Sequence, residues 1–161
     1  MKELCTKYRY DSKGIREMYK YGVDINLPNK INFKQFLRLL RVDESPQLRL
    51  IFEGLAGSIT TTIDHRLLLI LLMNSVVSPP SRLERLQFSF DILDPEENRM
   101  ITFDDLLMIL QGNYFAVTTK EVEAKAKLLL RETANSKSVD DPILLEDFQT
   151  LSNKFQGLFF P

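Results

Sequence analysis

The chain has 161 residues, 44% of them hydrophobic, with 21 basic and 22 acidic side chains and a formal net charge of −1. That near-neutral balance excludes nucleic acid as the main partner, because phosphate binding needs a basic surface. The single cysteine, Cys5, excludes an intrachain disulfide and suits a reducing compartment. A chain of this length suits one compact unit or two small lobes.

No charged-then-apolar leader opens the sequence, so no signal peptide is expected. Lys2 follows Met1 where N-myristoylation needs Gly, so that anchor is not expected either. The longest apolar run, Leu67 to Met73, is too short to span a bilayer. These features predict a cytoplasmic protein with no direct membrane insertion. Within that setting a cytoskeletal or axonemal assembly, or the cytoplasmic side of a membrane protein, stays open, and nothing in the residues selects among them.

In chain order, Ile15, Met18 and Tyr19 make a short apolar stripe ahead of a polar turn that starts at Asp24. Phe36, Leu39 and Leu40 follow at the spacing of one helical face. Ser45-Pro46 then marks a helix start, with Pro at the first helical position. Leu48, Ile51, Phe52 and Leu55 line that helix, and Leu68, Leu71 and Leu72 line the next. Ser78-Pro79-Pro80 is the best lobe boundary. Beyond it, Ser81 to Glu84 and Thr118 to Glu121 read as capping boxes. Leu86, Phe90 and Leu93 enter a third turn, and Leu106, Ile109 and Leu110 leave it. Ala126, Leu129 and Leu130 enter a fourth turn, beginning near Ala134, and Phe148, Leu151 and Phe155 leave it.

Ile31, Ile63, Ile101 and Ile143 hold the same place in all four segments, each followed five residues later by Phe36, Leu68, Leu106 or Phe148. A repeated helix–turn–helix unit explains this. The pattern predicts an all-α fold of about eight helices. One lobe would span 1–77, with hairpins around 15–42 and 46–75. The other would span 78–161, with hairpins around 81–112 and 119–155 and an apolar C-terminal tail.

The third turn is the one serious cation candidate. Asp94, Glu96 and Asn98 alternate, Met100 offers a carbonyl, and Asp105 closes twelve residues. Hard cations need several such oxygens. Arg99 stands where a glycine would ease the turn, and Asp105 is one methylene shorter than the usual closing Glu. The expectation is no bound cofactor, or at most one weak Ca²⁺ or Mg²⁺ in this turn. In the first and second turns Pro28, Gln35 and Leu67 stand at ligand places, so both should be empty. The fourth turn offers Asp140, Asp141 and Asp147, but Pro142 and its extra length spoil the spacing.

The segments Ser45 to Phe52, Ser81 to Asp94 and Met100 to Leu106 resemble the EF-hand superfamily, in particular its calcineurin B, neuronal calcium sensor and calaxin-like branch. The resemblance covers roughly Asp11 to Phe155. It implies short β bridges between loops, and a non-catalytic adaptor or regulatory subunit that buries an amphipathic helix of a partner protein in an apolar groove. The residues expected to line the groove are Phe36, Leu40, Phe52, Leu68, Leu72, Met73, Leu158 and Phe159. Because the loops lack ligands, partner binding should be largely independent of Ca²⁺. The alternatives are a low-affinity Ca²⁺ or Mg²⁺ sensor using the third loop, and an axonemal or cytoskeletal component of the same family.

The run Leu67 to Met73 is apolar on every side, so something besides its own core must cover it. The second lobe, the chain's own tail and a foreign helix are the candidates. No enzyme chemistry is expected. His65 is the only histidine, with no Cys or second His near it in sequence. No glycine-rich phosphate loop exists.

Overall fold

The computed structural model describes residues 1–57, 60–113, 119–133 and 135–155. The chain divides into two compact units, Met1–Pro79 and Pro80–Pro161. The fold is all-α: nine helices among the described residues, joined by two short antiparallel strand pairs.

The first unit holds helices α1 (Lys2–Tyr8), α2 (Ser12–Asp24), α3 (Phe33–Leu40), α4 (Pro46–Ala56) and α5 (His65–Ser75). Its strands are β1 (Lys30–Ile31) and β2 (Ile63–Asp64), paired with Ile31 opposite Ile63. Four of the five helices, α2 to α5, start at a side-chain cap. Asp11 accepts the Gly14 amide at 2.7 Å and caps α2. Asn32 and Gln35 form a reciprocal capping box on α3. Ser45 caps α4 just before Pro46. Asp64 caps α5 by accepting the Arg66 amide at 3.0 Å.

The apolar stripes meet inside this unit. Ile15, Met18, Phe36, Leu39, Leu40, Leu48, Phe52, Leu68, Leu71 and Leu72 are all buried. Phe52 packs edge-on against Phe36 and Phe33, at 5.4 and 5.3 Å between ring centres. Burial of this kind contributes about 1.5–3 kcal/mol per large apolar side chain.

The second unit contains α6 (Arg82–Leu93), α7 (Phe103–Asn113), α8 (Thr119–Arg131) and α9 (Leu145–Lys154). Strands β3 (Met100–Ile101) and β4 (Ile143–Leu144) pair with Ile101 opposite Ile143. Ser81 and Glu84 form the capping box expected at the start of α6; Thr118, the other expected cap, lies outside the described residues. Leu86, Phe90, Leu93, Leu106, Ile109, Leu110, Ala126, Leu129, Leu130, Phe148 and Leu151 make the core, while Phe155 is only half-buried. Phe90 and Phe148 lie 6.0 Å apart between ring centres and tie α6 to α9.

One element departs from expectation. The periodic segments predict about eight helices, and the ninth is α1, with Leu4 and Cys5 buried. It packs on α5. The Cys5 Sγ donates to the Leu72 carbonyl at 3.7 Å, a usual length for a sulfur donor. Lys7 donates to Gln47 at 3.2 Å, and Tyr10 just beyond α1 donates to the Leu40 carbonyl at 2.8 Å. Arg9 ends α1 in the left-handed region, at φ 54°, which frees the chain to turn into α2.

Candidate functional site

The paired loops of each unit and the apolar helix faces of the first are the features that bear on function. Opposed isoleucines of β1 and β2, and of β3 and β4, hold the two loops of each unit side by side. The side chains around those bridges decide what the loops can bind.

In the third loop, both Asp94 oxygens accept main-chain N–H groups: Asn98 at 3.1 Å and Arg99 at 2.7 Å. Asn98 accepts the Met100 amide at 3.0 Å through its own side chain. The Asp105 carboxylate turns back to Thr102, accepting its amide at 3.0 Å and its hydroxyl at 2.7 Å. Thr102 Oγ1 in turn accepts the Asp105 amide, so Asp105 serves a capping box for α7. Glu96 is exposed. Arg99 adopts φ 62°, the left-handed conformation that glycine takes without strain. Among the described residues, no three Asp, Glu, His or Cys side chains stand close enough to share an ion. Of the five residues expected to hold an ion, Asp94, Asn98 and Asp105 have side-chain oxygens engaged by the loop's own N–H and O–H groups, and Glu96 and Met100 are exposed.

The first loop closes on Gln35, whose Oε1 accepts the Asn32 amide at 2.9 Å. The second loop carries a buried polar cluster instead of a cage. The Asp64 carboxylate accepts two hydrogen bonds from the Arg66 guanidinium, at 3.1 and 2.9 Å, and Lys30 lies 3.9 Å away. Burial alone would raise the Asp64 pKa, but the hydrogen bonds and charge of Arg66, with the Lys30 charge, outweigh it. The net shift is below the ordinary carboxylate value. Next to it, His65 is buried, and its Nδ1 lies 3.2 Å from both the Pro28 and Asn29 carbonyls. Two carbonyls can only accept, so Nδ1 carries the proton. Burial pulls the His65 pKa below its usual value, with the carbonyls acting the other way. His65 therefore fastens the first loop to the second.

The fourth loop contains an ammonium that the sequence pattern did not flag. Lys137 Nζ lies 2.6 Å from Asp147 Oδ2 and donates to the Pro142 carbonyl at 2.5 Å. A lysine inside a polar turn carries no distinguishing signal, so sequence reasoning could not single it out.

The expected groove residues Phe36, Leu40, Phe52, Leu68, Leu72 and Met73 are all buried. Leu158 and Phe159 lie outside the described residues. Six of the seven residues from Leu67 to Met73 are buried, and Leu67 is partly so. The cover on α5 includes α1, a candidate that the periodicity could not offer: only Leu4 and Cys5 of its seven residues reach the core. No described helix is long and apolar enough to cross a membrane. Searches for a matching family model and for a matching curated protein find neither.

Proposed function

We propose that this chain is a non-catalytic, EF-hand-like adaptor. Its first unit holds an amphipathic helix of a partner protein against α5, largely without a divalent ion. The observation that carries this reading is the seating of α1 on α5. A helix apolar on all sides must be covered on every side; α2 and α1 both pack on α5, and α1 has only seven residues. Isolated helices shorter than about 12–15 residues are marginal in water, so α1 depends on its dock for order. A partner helix with a longer apolar face would bury more surface and displace it.

Two helix–loop–helix pairs, each bridged by one short antiparallel ladder, support the EF-hand-like part. The capping role of Gln35 and Asp105, and the Arg66 fork on Asp64, support ion independence, because each satisfies a loop group from within the chain. The single free thiol suits a reducing, cytoplasmic setting.

The test is binding of a fluorescent amphipathic Leu/Lys helical peptide, in EDTA and in millimolar Ca²⁺, to wild type and to Leu4→Asp. The variant should bind more tightly, equally well in both buffers. A variant that keeps its helical circular dichroism yet binds no better than wild type would overturn the reading. Binding that appears only with Ca²⁺ would favour the sensor alternative.

A further inference from the structure

Lys137 and Asp147 form the least exposed lysine–carboxylate pair among the described residues, with side chains 11% and 14% exposed. Their surroundings say what the ammonium does. With Ile143 as the eighth residue of its loop, Pro142 is the seventh and Asp147 the twelfth. In a cation-binding loop of this type the seventh residue offers its main-chain carbonyl and the twelfth its carboxylate. Here the same two oxygens, Pro142 O and Asp147 Oδ2, meet one Lys137 nitrogen at 2.5 and 2.6 Å. The lysine is itself fixed: its amide donates to the Leu130 carbonyl at 3.1 Å and reaches Thr133 Oγ1 at 3.2 Å. Asp147 Oδ2 also accepts the Leu144 amide at 3.2 Å, so the contact joins the approach to β4 with the first turn of α9.

We infer that the Lys137 ammonium is a built-in cation: it takes the Pro142 carbonyl and the Asp147 carboxylate and closes the fourth loop onto α9 with no divalent ion. An ammonium supplies one charge and three donors on a tether, so this closure needs no ion from solution and does not respond to one. The inference deepens the ion-independent reading above and rests on it for its consequence. The experiment reads the loop itself, with no partner helix present, so the two can fail separately.

The experiment is thermal melting of the full chain as wild type, Lys137→Met, Asp147→Asn and the double variant, with Lys127→Met as a control. Lys127 pairs with Glu123 on the α8 surface, where both side chains are more than 40% exposed. Lys137→Met and Asp147→Asn should each lower the Tm by about 4 °C or more. The double variant should fall little further, and the control should barely move. Asp105→Asn, whose third loop lacks its closing carboxylate, should melt at one temperature in EDTA and in millimolar Mg²⁺ or Ca²⁺ at matched ionic strength. Additive losses in the double variant, a Lys137→Met loss no larger than the control's, or an ion-induced rise in the Tm of Asp105→Asn would each overturn the proposal. That last measurement decides even where a Lys137 or Asp147 variant fails to fold.

Discussion

His65 and Asn29 are joined twice across the first bridge. The His65 amide donates to the Asn29 carbonyl at 3.0 Å, and the imidazole Nδ1 lies 3.2 Å from the same oxygen. Two adjacent loops are thus held by one residue's main chain and side chain together. The same residue was only a lone histidine in the sequence.

The pairing predicts a pH dependence with a definite sign. The folded imidazole has a pKa below 6.5, chiefly because it is buried. As pH falls through about 6.5 the unfolded chain takes up a proton that the folded chain refuses, so stability is lost towards acid and fully present above. The melting temperature should fall between about pH 7.5 and about pH 5.5. His65→Phe should flatten that slope and cost about 1–2 kcal/mol at neutral pH, since the Pro28 carbonyl loses its side-chain donor. Asp64 also weakens the fold towards acid, but only below its ordinary value of 3.8, outside this window.

The dock of α1 should be sensitive to one side chain. Leu4 is 2% exposed. Leu4→Ala should cost about 2–4 kcal/mol of docking free energy, by the general cost of emptying a leucine site. Amide hydrogen exchange is the measurement: Lys2 to Tyr8 should exchange faster, while the amides of α4 keep their protection. Uniform loss of protection across the first unit would show that α1 is not a separable element.

Arg99→Gly should stabilise the second unit. The left-handed backbone at φ 62° costs a side-chain-bearing residue about 1 kcal/mol. The side chain gives little in return, because its 3.9 Å approach to Glu146 joins two exposed groups; such pairs contribute about 0–1 kcal/mol. The net gain should be about 0.5 kcal/mol, a Tm rise of about 2–4 °C. A fall would mean that the Glu146 contact outweighs the backbone term.

The capping boxes make a fourth case. Asn32→Ala and Thr102→Ala each remove an acceptor from a main-chain amide, that of Gln35 at 3.0 Å and that of Asp105 at 3.2 Å. Each should cost about 1 kcal/mol in urea unfolding. Added Ca²⁺ should not restore the loss if Gln35 and Asp105 serve as caps.

Much of the fold was legible because it rests on periodicity. The register of Ile31, Ile63, Ile101 and Ile143 carried through to strand pairing, and the stripes built on Phe36, Leu68, Leu106 and Phe148 are buried apart from Phe155. The α1 helix was not legible, since Leu4, Cys5 and Tyr8 span little more than one turn, too short a stretch to establish a period. The loops were legible only as sequences of oxygen donors. A position in a turn does not say whether a carboxylate points inward or folds back on a nearby amide, as Asp105 does on Thr102. Nor does it show a partner supplied from five residues away, as Lys137 is for Pro142.

Cys5 is the chain's one thiol and sits where α1 meets α5, 1% exposed, with burial raising its pKa and suppressing the reactive thiolate. A maleimide or disulfide reagent therefore reaches it only when α1 lifts. Its labelling rate is a native stopwatch for the opening of this face, readable on the unaltered protein without any added probe residue.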